Sequence, residues 1–450
     1  MATVTTETPD LQDGIRAIGL ELSQRLLSSR PLSAAGVERR LTGAIMSDAQ
    51  LRAALFRFVD VRPACRTPDE LVRHLHELLE AAEGSPAARR LARAVGGASV
   101  RRPVAAAAGW GIGHMARRFI AGEDAAGALR EIERLWRAGA ATTIDLLGEA
   151  TVTEDEADRY AARCEDTLRT LAAAAAHWPA RPALERDSHG ELPRVNLSVK
   201  VSALTPELRA LAPERGIDGA RPRLRRLLRI ARDCGAHLHV DMESLDTRDA
   251  TTRLLLQLLE EPEFAAGPSA GLVVQAYLVE SPAHVDAILE WAARTRRAVP
   301  FTVRLVKGAY WDHELVEATQ HGWPAPVFTD RRDCDRNYEA LTRRLIDAAS
   351  LVRPAIASHN VRSIAQACAY ADAVGLPRHD LELQVLRGLG DDLQAAIAAT
   401  GRRVRTYCPI GDLVAGMAYL VRRLLENAAN DSFLAARACG ADIATLLEAP

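Results

Sequence analysis

The sequence lacks the features that mark metal-binding, secreted or membrane-spanning proteins. Its 450 residues include seven cysteines, which are widely scattered and form no CxxC pair. Zinc sites and disulfide frameworks need ligands at short, regular spacing, so neither is predicted. No apolar run reaches the ~18 residues of a membrane helix, and the N terminus has no signal-peptide pattern. We therefore expect a cytoplasmic protein without a metal site.

An excess of charge of one sign is also absent. The chain has 57 Lys and Arg against 59 Asp and Glu, a formal net charge of −2. This balance does not favour a nucleic-acid-binding protein. The Arg-rich stretch 221–229 has helical spacing, and we interpret it as a solvated helix face in preference to a phosphate-binding stripe.

From residue 142 onward, short apolar runs alternate with longer helical segments. The runs rich in β-branched residues lie at 142–147, 195–201, 237–242, 272–278, 301–306, 355–359, 381–386 and 403–408. The helical patterns lie at 154–176, 221–234, 250–259, 282–294, 337–349, 363–374, 391–400 and 413–427. Eight strand–helix units predict an α/β fold of the (βα)8 TIM-barrel type.

A doubly wound open sheet is the alternative, and it is weaker because no GxGxxG motif follows the first strand. Before the barrel, helical patterns occupy 11–27, 49–58 and 68–82. We therefore predict an N-terminal helical region over residues 1–100 and a barrel over residues 101–450.

The carboxyl ends of barrel strands form the active face of such folds. Lys200 lies near the end of the second run and Asp241 near the end of the third. We expect these two residues to pair across neighbouring strands, because a buried lysine without a carboxylate tends to lose its charge. The alternative is a lysine that extends to solvent at the rim.

The fifth run leads into Arg304–Trp311, which reads RLVKGAYW. Two cations followed by a glycine that permits close backbone approach favour anionic cofactor binding at the strand end. The alternative is an exposed, charged strand end. His359 follows the sixth run, and a lone histidine is more often structural than catalytic.

Residues 419–427 read YLVRRLLEN. On a helix, Tyr419, Arg422, Arg423 and Glu426 share one face. This face is either simply solvated or an arginine clamp for a small carboxylate, with Glu426 holding the arginines in place.

Several of these motifs together resemble the proline dehydrogenase family, especially the proline dehydrogenase part of bacterial proline utilization A. RLVKGAYW and YLVRRLLEN are joined by LLGEA at 146–150, SVKVSAL at 198–204, QAY at 275–277, SHN at 358–360 and NAANDSF at 427–433. The motifs follow the order of the family and span roughly residues 100–440.

The resemblance implies a distorted (βα)8 barrel that binds FAD and oxidises L-proline to pyrroline-5-carboxylate by hydride transfer to flavin N5. It also implies a quinone electron acceptor and peripheral association with the inner face of the membrane. No aldehyde dehydrogenase segment follows residue 450, so we expect a separate pyrroline-5-carboxylate dehydrogenase to use the product. The N-terminal helices are candidates for a dimer arm of a homo-oligomer.

The resemblance also implies roles for individual residues. The substrate-carboxylate clamp comprises Lys200, Arg422 and Arg423, with Glu426 as its support. Residues around the substrate are Tyr310, Tyr407 and Leu386 as walls, Asp241 as a polar anchor, and Glu149 as the partner of a gate arginine. The implied FAD contacts are Gln275, Arg304, Lys307, Gly308, Ala309, Trp311, His359, Asn360, Gln384, Ser432 and Phe433.

The resemblance bears on substrate choice as well. An aromatic residue at Tyr407 crowds the substrate ring and favours proline over hydroxyproline. Leu383, Arg387 and Thr205 depart from the residues that are usual in the family. They leave open the same flavin chemistry on a related cyclic or secondary amino acid. A degenerate barrel that only binds a partner is a further alternative, against which the intact clamp residues argue.

Overall fold

The computed structural model describes residues 9–27, 48–61, 64–95, 118–148, 151–412 and 442–450. Eight parallel strands close into a barrel. They are β1 (Ala140–Leu146), β4 (Asn196–Val199), β5 (His237–Val240), β6 (Ser269–Gln275), β7 (Phe301–Val306), β8 (Val352–Ala357), β9 (Glu382–Leu386) and β10 (Arg403–Ile410). A two-stranded hairpin, β2 (Arg186–Asp187) and β3 (Gly190–Glu191), lies between β1 and β4 in the chain.

Helices precede the barrel and surround it. The N-terminal helices are α1 (Pro9–Leu27), α2 (Ala49–Val61), α3 (Pro68–Glu80), α4 (Pro86–Val95) and α5 (Ala125–Arg137). The later ones are α6 (Glu154–Ala175), α7 (Pro182–Glu185), α8 (Pro213–Asp233), α9 (Leu245–Leu259), α10 (Ser281–Thr295), α11 (Trp311–His321), α12 (Arg331–Asp347), α13 (Val361–Ala373), α14 (Asp391–Ala398) and α15 (Ile443–Leu446). Among the described helices, none is long and apolar enough to cross a bilayer.

The structure confirms the predicted barrel and its N-terminal helical region. Each predicted strand overlaps an observed one, and β1 pairs with both β4 and β10, which closes the ring and excludes the open sheet. Closure follows from eight strands whose outward faces are apolar, because every face can then be covered by a helix.

Several elements differ from the sequence prediction. Helix α8 begins at Pro213, well before the predicted helical pattern 221–234, because proline is well placed in a first helical turn. Its Gly216 weakens the helical pattern, yet an added Cβ there would lie 2.8 Å from Leu208 Cα, so close packing requires glycine. Helix α11 is an additional element after β7, and α4, α5, α7 and the hairpin also lie outside the predicted patterns.

The arginines of α8 pair with acidic residues on neighbouring elements. Arg225 forms an ion pair with Glu261, and Arg229 pairs with Glu263. Arg223 pairs with Asp158 of α6. The structure therefore confirms the interpretation of residues 221–229 as a solvated helix face.

The inner face of the barrel is unusually polar near the amino ends of the strands. Arg353 donates two hydrogen bonds to Asp187, at 2.7 and 3.1 Å. Arg405 donates two to Glu382, at 2.8 and 3.0 Å. Burial alone raises the pKa of Glu382, but Arg405 and Arg403 outweigh it and lower the pKa to about 2. This ionic cluster fills the barrel near the amino ends of the strands, so a ligand site is expected at their carboxyl ends.

Removing Arg353 is expected to destabilise the protein far more than removing Arg225. Arg353→Ala removes both arginine hydrogen bonds from the fully buried Asp187 carboxylate and leaves it the His189 N–H and the more distant Arg403, which costs about 3 kcal/mol. Arg225→Ala is the matched control, since it also loses a carboxylate pair, but at a partly exposed position worth at most about 1 kcal/mol. Thermal unfolding of both variants checks this, and equal destabilisation would contradict it.

Candidate active site

Five polar side chains converge at the carboxyl ends of the strands. Asp145 comes from β1, Lys200 follows β4, and Asp241 follows β5. Arg304 lies in β7 and Tyr407 in β10. Alternate residues of a strand point to the same side, and hydrogen bonds link these side chains to one another inside the barrel. The barrel therefore gathers residues that lie far apart in the sequence.

Lys200 pairs with Asp145, which corrects the expected pairing with Asp241. The ammonium group donates a hydrogen bond to Asp145 Oδ1, and both side chains are largely buried. The reason is that β1 and β4 are consecutive strands of the barrel, and Asp145 is in register with Ser198. Asp145 was not among the residues predicted for the site. It could have been found as the single carboxylate within the apolar run 142–147.

Burial and the neighbouring charges oppose each other in this ion pair. Burial alone lowers the pKa of Lys200, but Asp145 and then Asp241 outweigh it, so the pKa is raised above its ordinary value. Burial also raises the pKa of Asp145, against the opposing effect of Lys200. The lysine is therefore held as a cation in a largely buried position.

Asp241 is bonded by three donors of its own. Its Oδ1 accepts hydrogen bonds from Ser198 Oγ at 3.0 Å and Arg304 Nη1 at 2.8 Å. Its Oδ2 accepts one from the Tyr407 hydroxyl at 2.6 Å. The Arg304 guanidinium also lies over the Tyr407 ring, 5.4 Å from the ring centre. Asp241 therefore fixes both Arg304 and Tyr407 at the end of the barrel.

Several buried polar atoms of the described residues have no partner. At this end of the barrel they include Nε and Nη2 of Arg304 and Oε1 of Gln275. Gln275 uses its amide nitrogen to donate to the Glu243 carbonyl at 2.8 Å. Buried polar groups in native proteins are nearly always hydrogen-bonded, so these donors and this acceptor are suited to a polar ligand.

The segment after β7 forms the edge of the same region. Lys307 pairs with Asp335 of α12, and Trp311 donates to the Phe328 carbonyl at 3.0 Å. Gly308 has a φ of +132°, and an added Cβ would lie 2.0 Å from the buried Tyr277 ring. Glycine is thus required there by backbone conformation and by contact. Ala309 and Tyr310 are half-buried.

The segment after β8 is organised around a histidine and a helix start. Leu386 N–H donates to His359 Nε2 at 2.9 Å, which places the proton of a neutral His359 ring on Nδ1. Asn360 caps α13 by accepting from Arg362 N–H at 2.9 Å. Gln384 lies on β9 between Leu386 at the carboxyl end and Glu382 of the ionic cluster, to which it donates at 2.7 Å.

Six of the predicted site residues lie outside the described residues. They are Glu149, Arg422, Arg423, Glu426, Ser432 and Phe433. Their assignments to the clamp, the gate and the cofactor stay predictions. The whole segment 419–427, for which the sequence predicts an Arg-rich helical face, also lies outside the described residues.

The three departures from the family pattern fall away from the strand-end cluster. Leu383 lines a small cavity with Ile18 and Leu22 of α1, outside the barrel. Arg387 pairs with Glu131 of α5. Thr205 is buried and accepts from Glu207 N–H at 3.2 Å in the connection before α8. None of the three therefore adds a group to the cluster around Lys200 and Asp241.

Comparison with known proteins shows which families the sequence matches. The family model for proline dehydrogenase matches residues 128–436, and that for the proline utilization A N-terminal domain matches residues 12–119. The bifunctional protein PutA of Salmonella typhimurium is 33% identical over 327 residues, which cover 71% of this chain and 24% of that protein. Proline dehydrogenase 1 of Bacillus subtilis is 28% identical over 319 residues, covering 71% of this chain and 89% of that protein.

A solved structure is similar over nearly the whole chain. Proline utilization A from Bdellovibrio bacteriovorus, inactivated by N-propargylglycine, superposes with a TM-score of 0.88 at 36% identity. The match covers 98% of this chain and 44% of that one. The chain thus spans less than half the length of that relative, and about a quarter of the bifunctional curated ones.

Proposed function

The chain belongs to the proline dehydrogenase family, and from this membership we propose that it oxidises L-proline to pyrroline-5-carboxylate with FAD as cofactor. The observation that best supports the proposal is the set of unpaired buried atoms on Arg304 and Gln275 beside the cationic Lys200. The unpaired atoms of Arg304 and Gln275 suit a polar cofactor, and the Lys200 ammonium group suits a small carboxylate.

The residues present fit a flavin. Arg304 has unpaired N–H donors for ring acceptors, and Gln275 Oε1 has an unpaired lone pair for a ring N–H. Gly308 and Lys307 would lie along the cofactor, as would Ala309 and Trp311. A bound flavin would supply the two-electron oxidant by accepting a hydride.

Further cofactor contacts follow from the resemblance. We assign His359, Asn360 and Gln384 to the flavin side of the site, with Ser432 and Phe433 completing it. His359 is oriented at this end of the barrel by the Leu386 N–H, which donates to its Nε2 at 2.9 Å.

Lys200 would hold the substrate through its carboxylate. A lysine ammonium has three N–H donors, and Asp145 takes one of them. In a largely buried site this charge attracts a carboxylate more strongly than it would in water. We assign Arg422, Arg423 and Glu426 to the same clamp and Glu149 to a gate. Oriented binding of this kind places the reacting C–H bond and excludes water.

Tyr407 would set the preference for an unsubstituted ring. Its hydroxyl is bonded to Asp241 at 2.6 Å, so the aromatic ring cannot swing aside easily. A rigid wall of this kind, with Leu386 and Tyr310, leaves little room for a substituent on the substrate ring. The proposal is therefore proline in preference to hydroxyproline.

Tyr407→Ser is expected to raise the ratio of kcat/KM for hydroxyproline over proline by about tenfold or more, because it removes the wall. Tyr407→Phe is the control, since it keeps the wall and removes only the hydrogen bond to Asp241. Steady-state kinetics with both substrates measures the ratio. The crowding explanation fails if Tyr407→Phe changes the ratio as much as Tyr407→Ser does.

Family resemblance alone supports several further proposals about the setting of the reaction. Electrons would pass from the reduced cofactor to a quinone, which implies peripheral contact with a membrane. A pyrroline-5-carboxylate dehydrogenase would use the product, and the N-terminal helices α2 to α4 would contribute to a homo-oligomer.

Anaerobic spectroscopy of the purified protein tests the proposed activity. A yellow protein whose flavin absorbance is bleached by L-proline, with pyrroline-5-carboxylate formed, is the expected result. A protein that cannot be reconstituted with FAD would overturn the proposal. A flavoprotein bleached by another cyclic amino acid but not by proline would instead support the alternative substrate.

A further inference from the structure

Asp145 is the buried acid to which the family resemblance assigned no role. Its side chain is 2% exposed, and it forms an ion pair with Lys200 at the end of β1. Resting on the proposed function, we propose that Asp145 is a positioning residue that keeps the Lys200 ammonium charged and fixed for the substrate carboxylate. Asp145 would act through Lys200 without touching the substrate.

Asp241 is bonded to groups other than Lys200 Nζ. Both of its oxygens are already occupied, by Ser198 and Arg304 on one side and by Tyr407 on the other. Within the described part of the chain, Asp145 is the only hydrogen-bond partner of Lys200 Nζ. The position of the ammonium group therefore depends on Asp145.

Lys200 also has donors left for a ligand. Within the described residues, Asp145 accepts one of its three N–H bonds, which leaves two for a carboxylate. The Lys200 side chain is largely buried, with 13% of it exposed. The geometry thus combines a fixed cation with donors that a ligand can use.

The charge state of Lys200 depends on its ionisable neighbours. The acidic groups that act on it are Asp145 of β1 and Asp241 and Glu243 after β5. Tyr407 of β10 acts on Asp145, and Tyr160 and Cys164 of α6 lie beside the same ion pair. Burial lowers the pKa of Lys200, and Asp145 opposes burial more than any other single group. Without Asp145, the cation would be lost at a lower pH.

The experiment measures how pH affects binding of L-tetrahydro-2-furoic acid to the FAD-loaded protein. This probe keeps the ring and carboxylate of proline but has no amine, so it neither titrates near neutral pH nor is oxidised. Changes in flavin absorbance report its Kd from about pH 7 to about pH 9.5, below the ordinary pKa of lysine. The wild-type Kd is expected to be nearly constant over this range.

For Asp145→Asn, we expect the Kd to rise by about tenfold or more between about pH 7 and about pH 9.5, because the lowered pKa of Lys200 removes its charge as pH increases. A lysine is protonated below its pKa, so the loss must appear at the high end of the range. Asp145→Ser is the second variant, with the same expectation, and replaces Asp145→Asn if that variant does not fold.

Rescue by arginine separates this role from a merely structural one. In Asp145→Asn combined with Lys200→Arg, the guanidinium stays protonated throughout, so the pH dependence should disappear relative to Asp145→Asn. Lys200→Arg alone is the reference. Asp158→Asn, which removes a surface partner of Arg223, is the control and should match the wild type.

Two results would overturn the inference. A wild-type pH profile in Asp145→Asn, with the probe bound, would overturn it alone and leave the proposed function standing. Failure of the wild-type protein to bind the probe at any pH would overturn the proposed carboxylate site, and this inference with it.

Discussion

Arg304→Met is expected to lower kcat/KM for L-proline by about 100-fold or more. The substitution removes the charge-assisted bond to Asp241 and the two donors that we assign to the cofactor. Each such bond is worth about 1.5–3 kcal/mol, and each 1.4 kcal/mol is a factor of ten. It also leaves the Asp241 carboxylate held only by Ser198 and Tyr407.

FAD titration of the apoprotein and steady-state kinetics together measure this effect. We expect weaker FAD binding and a lower kcat in the fully loaded variant, because Arg304 lies at the centre of the cluster. Arg225→Met is the control, since Arg225 also pairs with a carboxylate but lies on the outer face of α8. Wild-type kinetics in Arg304→Met would show that this arginine does not serve the reaction.

Lys200→Met is expected to raise the KM for L-proline by about 1000-fold, with a smaller change in kcat. The substitution removes the cation proposed to bind the carboxylate, and the loss of one charged partner typically costs about 1.5–3 kcal/mol. It also leaves the buried Asp145 carboxylate without its ion-pair partner, so the site repels an anion. Together these effects exceed those of a single lost hydrogen bond.

The matched comparison is Lys307→Met. Both lysines follow barrel strands and both pair with an aspartate, Lys200 with Asp145 and Lys307 with Asp335. We assign Lys307 to the cofactor, so its loss should weaken FAD binding and leave the KM for proline near the wild-type value once FAD is saturating. Equal KM increases in the two variants would contradict a specific role for Lys200 in binding the carboxylate.

Much of the architecture was predictable because the strands repeat one simple pattern. In runs such as 237–242 and 301–306, apolar residues alternate with polar ones, since one face packs on helices and the other enters the barrel. The count of eight runs then indicated a closed barrel. Helix α11 was not predicted because it has no broad apolar face. It begins at Trp311, the last residue of the motif that was interpreted as a cofactor segment.

The partners within the site were less predictable than its members. Lys200 and Asp241 each follow one of two consecutive barrel strands, so the sequence favoured a pairing between them. The preceding barrel strand, β1, lies on the other side of β4 and offers Asp145 as a second carboxylate. Asp241 is meanwhile bonded to Arg304 from β7, a strand that is not its neighbour. Contacts across a barrel interior leave no trace in local sequence patterns.

The sequence by itself determined the class of fold, the family and most of the residues that meet at the strand ends. Those properties depend on local periodicity and on ordered motifs, which can be read along the chain. The tertiary structure alone decided which charges neutralise each other, which atoms of Arg304 and Gln275 stay unpaired, and that the departures at Leu383 and Arg387 lie away from the strand-end cluster. The physical reason is that hydrogen bonding and burial depend on three-dimensional distance, and barrel closure sets those distances.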